Sequence, residues 1–294
     1  MSEQLFARAD DGTRLYVRRR SGPISAHEST PTALLCDGIA CDGFIWKYLW
    51  DDLAKTVPVA HWHYRGHGRS GRPADPARIE FIDHVRDLDA VRREIGDPPV
   101  VLFGHSMGCQ VALESWRLRP EKIRGMCLVC GSSGRITHTF RGTNVLAQVL
   151  PRLIERVEAH PAMARALWSR VPADLSLRVA LLSGEVDARS VRPEDLMPYM
   201  KHMVDIDLPM FLKMLMSAGE HSAADLLRTV DVPVLVIAGD RDQFTPLAET
   251  EQMAAALPQA ELVMVSGGTH VVPIERPEMV AERVEEFLRE RVGA

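Results

Sequence analysis

Ser106 stands between Gly104 and Gly108 in the run Val100-Val101-Leu102-Phe103-Gly104-His105-Ser106-Met107-Gly108. The apolar residues Val100 to Phe103 signal a short buried strand that ends at Gly104, and Val111, Ala112, Leu113, Trp116 and Leu118 open a helical pattern directly after it. A chain turning this sharply from strand to helix strains its central residue, and only small residues fit two positions to either side. Such a nucleophile elbow exposes the serine hydroxyl above a sheet and aims a helix N-terminus at a reacting carbonyl oxygen. A serine hydroxyl is a poor nucleophile at neutral pH and needs a base, itself oriented by a third group. Of the eleven histidines, His270 stands out in Ser266-Gly267-Gly268-Thr269-His270, a glycine-rich loop that can project a side chain over a sheet edge. Acid candidates Asp240 and Asp242 follow the preceding strand, in Gly239-Asp240-Arg241-Asp242-Gln243-Phe244-Thr245-Pro246. The order Ser, Asp, His suits a sheet of this kind.

The elements that must position these groups alternate. Leu5-Phe6-Ala7 and Leu15-Tyr16-Val17 flank the turn signal Asp10-Asp11-Gly12 and read as a hairpin. Ser21 to Thr32 is polar and reads as a loop. Strands are expected at Ala33–Cys36, Val57–Trp62, Val100–Phe103, Ile123–Cys130, Pro233–Ala238 and Leu262–Val265. A helix carries Ile45, Trp46, Leu49 and Leu53 on one face; Phe81, Ile82, Val85, Leu88, Val91 and Ile95 mark the next. Further helices follow around Leu247 to Leu257 and from Met279 to Val292. Strands apolar on both faces, alternating with helices, mean an α/β fold: a mostly parallel sheet covered on both sides. From about Gly134 to Leu227 only helical patterns occur, broken by Pro151, Pro161, Pro172, Pro193, Pro198 and Pro209, and this stretch reads as a helical insertion over the carboxyl edge of the sheet. Its methionines, Met197, Met200, Met203, Met210, Met214 and Met216, read mostly as core filling between helices; the sharper reading is an adaptable wall for an acyl chain.

Composition narrows the function. The chain has 294 residues, 46% of them hydrophobic, and a net charge of −5 without a basic run, which supports a full core and gives nucleic-acid binding no support. No run approaches the roughly 18 apolar residues of a membrane span, and Met1 to Asp10 is too polar for a signal peptide, so a cytoplasmic location is expected. Five cysteines fit no disulfide framework. Cys127 and Cys130 form C-x-x-C, but within an apolar strand that should point them to opposite faces, as buried small hydrophobes. His61, His63 and His67 have a spacing that could suggest a metal, yet no carboxylate or cysteine completes a ligand set, and strand and turn account for them.

Four matches make the chain resemble the α/β-hydrolase fold family over nearly all of its length apart from the insertion: Gly104-His105-Ser106-Met107-Gly108, Gly239-x-x-Asp242-x-x-x-Pro246, Gly267-Gly268-Thr269-His270 and Arg65-Gly66-His67-Gly68-Arg69-Ser70. The resemblance implies an eight-stranded sheet, a core domain of residues 1–133 and 228–294, and a cap domain of residues 134–227 that forms the substrate pocket. It assigns the acid to Asp242 and leaves Asp240 a turn residue. Ser106 would attack an ester carbonyl, His270 would take and return the proton, and Asp242 would fix the imidazole tautomer. The oxyanion would be bound by the backbone N–H groups of Met107 and Ile39. Asp37, His105, Met203, Phe211, Met214 and Val271 are expected around the substrate. No metal and no organic cofactor is called for. The expected partner is a small-molecule ester with a small to medium acyl chain, hydrolysed through an acyl-enzyme; monomer and homodimer both stay open.

Two residues depart from the family pattern. Asp37-Gly38 stands where His-Gly is usual, and an ionised carboxylate there would oppose the oxyanion unless it points away and hydrogen-bonds the loop backbone. His63 stands where an acid is commoner. Carbon–carbon bond hydrolases and cofactor-free perhydrolases or haloperoxidases share all four motifs, and some members of the fold are non-catalytic ligand receptors. Epoxide hydrolase and haloalkane dehalogenase chemistry needs an aspartate at the elbow, where this chain has Ser106.

Overall fold

The computed structural model describes residues 2–23, 26–27 and 29–294. Ile24, Ser25 and Glu28, within the loop expected over Ser21–Thr32, lie outside the described residues. The hairpin forms as expected: β1 (Ser2–Arg8) pairs antiparallel with β2 (Arg14–Arg20) around a turn in which Asp11 accepts the Thr13 N–H at 3.0 Å. Six more strands follow: β3 (Thr32–Cys36), β4 (Val59–Trp62), β5 (Val100–His105), β6 (Ile123–Val129), β7 (Val234–Gly239) and β8 (Ala260–Val265). They join one 8-stranded sheet in the order β1-β2-β4-β3-β5-β6-β7-β8, parallel from β4 onward, so this is the α/β-hydrolase fold with β5 near its centre.

Side-chain alternation divides the sheet between two cores. Leu34 and Cys36 of β3, Ala60 and Trp62 of β4 and Leu102 of β5 face α2 (Phe81–Glu94), α3 (Met107–Leu118) and α10 (Leu247–Ala256). Ala33, Leu35, Val59, Val101 and Phe103 face the opposite side, where α1 (Leu49–Thr56) and α12 (Pro277–Phe287) pack. Helices therefore cover both faces, which is why the central strands β3, β5 and β7 are buried along their whole length. Two expected helices differ in detail. Ile45 and Trp46 belong to a single tight turn, Phe44–Trp46, and α1 starts separately at Leu49. The last helix gives way at Leu288–Val292 to one wider turn.

Between β6 and β7 lie α4 (Ile136–Thr139), α5 (Val145–Ala159), α6 (Pro161–Trp168), α7 (Ala173–Ser183), α8 (Pro193–Asp205) and α9 (Leu208–Glu220). Pro161, Pro193 and Pro209 occupy first turns, where a missing N–H costs nothing, and Pro172 precedes α7. Pro151 and Pro198, expected as breaks, lie inside α5 and α8. Burial of Leu150, Ile154 and Val157 along one side carries α5 through its proline. Among the described residues no helix is long and apolar enough to cross a membrane.

The Arg65-Gly66-His67-Gly68-Arg69-Ser70 segment is structural. Arg65 is fully buried, donates from Nε and Nη2 to Asp87 of α2 at 2.7 and 2.6 Å, and reaches Asp11 of the hairpin turn at 2.9 Å. All five cysteines are free and buried. Cys127 and Cys130 were expected on opposite faces but share one core, because β6 ends at Val129 and Cys130 turns the chain with φ 46°.

Candidate active site

Ser106 separates β5 from α3 with φ 54° and ψ −119°, a conformation that costs an L-residue about 1–3 kcal/mol. The surroundings hold it there. Its N–H donates to Val129 O and its carbonyl accepts from Cys109 N–H, both at 3.0 Å. The flanking glycines are required by contact: a Cβ at Gly104 would lie 2.5 Å from Gly108 O, and one at Gly108 would lie 2.3 Å from Cys36 O. The α3 helix begins at Met107, so the Met107 N–H is among the first-turn donors without a helical acceptor.

Two loops meet beside it. Gly239 at the end of β7 packs against Gly268, and Arg241 N–H donates to Gly268 O at 2.9 Å. Asp240 accepts the Gly267 N–H at 2.7 Å, tying the histidine loop to the aspartate loop. Asp242 accepts from His270 Nδ1 at 2.8 Å, from the N–H groups of Phe244 and Thr245 at 2.8 and 2.9 Å, and from the Thr245 hydroxyl at 2.7 Å. Burial pushes its carboxyl up, but His270 and the hydrogen bonds from His270 and Thr245 outweigh burial and hold it below the usual carboxylate range. An ionised carboxylate only accepts, so His270 carries its proton on Nδ1 and leaves Nε2 as the basic nitrogen. Phe244 stacks on the imidazole at 4.8 Å.

Ser106 and His270 line one cavity of about 370 Å³ with Gly38, Ile39, His105, Met203, Phe211 and Val271. Gly38 lies against the serine: a Cβ there would be 3.2 Å from Ser106 Cβ and 3.0 Å from His105 Nδ1. The Ile39 N–H donates to no protein acceptor among the described residues. Each of α4 to α9 contributes to the wall, chiefly with apolar side chains such as Ile136, Leu146, Trp168, Ala180, Met200 and Leu215. No lysine or arginine lines it, and its one carboxylate, Glu185, is paired with Arg141.

Two expected pocket residues lie elsewhere. Met214 is completely buried with Ala218 on the face of α9 turned to the core, whereas Phe211 and Leu215 occupy the cavity face of the same helix. Asp37 is 1% exposed and points away from the cavity, as expected of a loop aspartate; its Oδ2 lies 2.9 Å from His61 Nε2, and the backbone of Gly43 and the side chain of Trp46 also face its carboxyl. Of the insertion methionines, Met200 and Met203 line the cavity, while Met210 packs on Gly66. His105 lines the cavity, its Nε2 donates to His270 O at 2.8 Å, and burial together with His270 pushes its pKa down to about 3.

A model of the alpha/beta hydrolase family matches residues 34–283. The chain belongs to this family. This α/β hydrolase is 26% identical over 267 residues to the polyketide synthase ThaQ of Burkholderia thailandensis, a match covering 90% of the chain but only 12% of that synthase's length. It is 27% identical over 257 residues to RutD of Pseudomonas syringae pv. syringae, a protein named for carbamate hydrolysis, with 85% of this chain and 91% of RutD covered. A thermophilic esterase from Thermogutta terrifontis superposes with a TM-score of 0.77 at 20% identity, over 99% of this chain and 100% of that one. A bromoperoxidase from Bacillus anthracis gives a TM-score of 0.77 at 16% identity, over 98% and 100%. At these identities the structural likenesses speak for the fold.

Sequence reasoning missed Glu275 and the aromatic wall of this hydrolase's cavity. Buried Glu275 accepts from Thr269 N–H and Oγ1 at 2.8 and 2.7 Å and from Asp187 N–H at 2.8 Å, so it holds the His270 loop to the segment after α7. A glutamate five residues beyond the histidine, in the apolar run Val271–Ile274, was the available signal. Phe140, which meets Phe244 at 5.3 Å, and Trp168 had none.

Proposed function

We propose that this α/β hydrolase is a serine-dependent carboxylic-ester hydrolase acting on neutral small-molecule esters with small to medium acyl chains. The observation that carries the reading is the shared cavity: Ser106, in its strained elbow, and His270, bonded through Nδ1 to Asp242, both open into it. In this mechanism Ser106 attacks the ester carbonyl while His270 Nε2 takes its proton. Asp242 keeps the proton on Nδ1 and stabilises the imidazolium. The N–H groups of Met107 and Ile39 receive the developing oxyanion. His270 then protonates the leaving alcohol, and water, activated by the same imidazole, hydrolyses the acyl-enzyme. These steps need only the chain's own groups. Residues 134–227 serve as a cap whose helices enclose the acyl group.

The cavity lining favours an ester over the carbon–carbon bond alternative. A vinylogous diketone acid carries a carboxylate, and a wall without lysine or arginine offers it no cation. A p-nitrophenyl ester series from acetate to dodecanoate, run with wild type and Ser106→Ala, tests the proposal. The expected result is turnover that peaks at short or middle chains and falls by roughly a thousandfold or more in Ser106→Ala without loss of fold. Turnover retained in the variant overturns the nucleophile. No turnover by folded wild type across the series moves the reading to another reaction on the same groups or to a binding role.

A further inference from the structure

Asp37 is the carboxylate nearest in sequence to Gly38 and Ile39, and its environment is unusual for an acid. Its side chain is completely buried between β3 and β4. A carboxylate taken out of water costs several kcal/mol unless it is partnered, so whatever partners it also fixes its direction. The side chain within hydrogen-bond distance is His61 of β4, with Nε2 2.9 Å from Asp37 Oδ2, and the Trp46 side chain and Gly43 backbone face the same carboxyl. Tyr64, just beyond β4, donates its hydroxyl to the Asp37 carbonyl at 2.7 Å. The first turn of α3 rests on the same peptide: a Cβ at Gly108 would lie 2.7 Å from Asp37 O. The loop that starts at Asp37 then wraps the imidazole, since a Cβ at Gly43 would lie 2.7 Å from His61 Cε1. One histidine thus anchors both ends of the segment Asp37–Gly43, with Gly38 against Ser106 between them.

We propose that Asp37 and His61 are positioning residues for the oxyanion turn: His61 takes up the carboxylate, turns its charge away from Ser106 and fixes the Gly38–Ile39 backbone. The inference rests on the serine-hydrolase reading and deepens it. Without the partner, the carboxylate is free to swing toward the serine, where it opposes a developing negative charge, and the turn loses one of its two anchors. Neither residue touches the substrate. Their effect passes through the Ile39 N–H.

Two aspartate variants separate positioning from plain packing. Asp37→Leu is apolar and of similar volume but leaves the buried His61 N–H without its acceptor, which lowers stability, so its kcat is read per folded molecule. Asp37→Asn keeps an acceptor for His61. The expected result in Asp37→Leu is a kcat per folded molecule on p-nitrophenyl butyrate lowered about 10- to 100-fold, as for a misplaced oxyanion donor, with KM within about threefold. Asp37→Asn restores kcat to within about threefold of wild type. His61→Phe, which keeps a ring under Gly43 but deletes the hydrogen bond, behaves like Asp37→Leu. Folded Asp37→Leu and His61→Phe with wild-type kcat overturn the proposal, as does a kcat that falls only in step with the folded fraction. The rate at which a fluorophosphonate labels Ser106 is a second readout, because phosphonylation uses the same donors without needing the right ester. Labelling slowed in both variants, even if wild type turns over no ester, upholds the positioning role while the ester reading fails. Labelling at the wild-type rate in both overturns the pair's role and leaves the nucleophile standing. A wild type that neither hydrolyses nor labels overturns both.

Discussion

Asp240 and Asp242 stand two residues apart with different surroundings. Asp242 is almost fully buried and gathers four hydrogen bonds, one of them from His270 Nδ1. Asp240 is exposed and accepts one, from the main chain of Gly267. An amide at 242 presents its NH₂ or its oxygen to the imidazole and no longer fixes the tautomer, so Asp242→Asn is expected to lower kcat about a thousandfold or more. Asp240→Asn keeps an acceptor for Gly267 and is expected to stay within about threefold. Steady-state kinetics on one good ester decides this, and the reverse ranking would exchange the two roles. Sequence could separate these aspartates only through the family pattern, because both sit in one loop at one strand end. The hydrogen-bond partners that distinguish them come from Thr245 next door and from a loop 28 residues further on.

At the scale of elements, the short segment from α6 to α7 sets the reach of the cavity. Trp168, the last residue of α6, and Val171 line the cavity that holds Ser106 and His270 on one side and an outer groove with Met163, Leu167 and Leu208 on the other. Trp168 is held by a hydrogen bond from its Nε1 to Met203 O at 3.0 Å. Replacing this indole with alanine opens the partition. Trp168→Ala is expected to shift the best acyl chain about two to six carbons longer, at about 0.8 kcal/mol for each methylene newly buried, with little change on acetate. The kcat/KM profile of the ester series measures it, and an unmoved optimum would mean that another wall limits chain length. Helical spacing marked the insertion as helical but not where each helix begins and ends, nor which face each turns inward. Met214 shows why: α9 is apolar on both the core face and the cavity face, so periodicity alone cannot choose between them.

For the molecule as a whole, five of the eleven histidines lie buried in the interior. His61, His63, His67, His84 and His105 are all buried, and burial pushes each well below its ordinary value, to about 3 for His63 and His105 and about 4 for His67. In the unfolded chain they titrate near about pH 6.5. From there down to about pH 4 the unfolded chain binds protons that the folded chain refuses, so this stability is complete above pH 6.5 and is lost as pH falls. Burial raises Asp37 to about 7 and Asp87 to about 6 and pushes Asp42 up as well, which acts in the opposite direction over part of the same range. Five histidines against three carboxyls leave a net of about two protons, each worth up to about 1.4 kcal/mol per pH unit. Unfolding by denaturant at pH 7, 6 and 5 is therefore expected to show stability falling steeply with acid. A flat profile would mean that the buried imidazoles charge in place.

The alternation of strand and helix, the elbow at Ser106, the loop that bears His270 and the loop that bears the two aspartates were legible in the residue pattern. These are local: a period of 2 or 3.6, a glycine where backbones touch, and a polar loop at a strand end can be read within a dozen residues. Tertiary structure alone decided that Asp37 turns to His61, that Glu275 ties down the histidine loop, and that Phe140, Trp168 and Phe244 enclose the cavity. Those outcomes depend on which faces of distant elements meet. Contact between faces follows from packing the whole chain at once, and the spacing of residues along one segment carries no record of it.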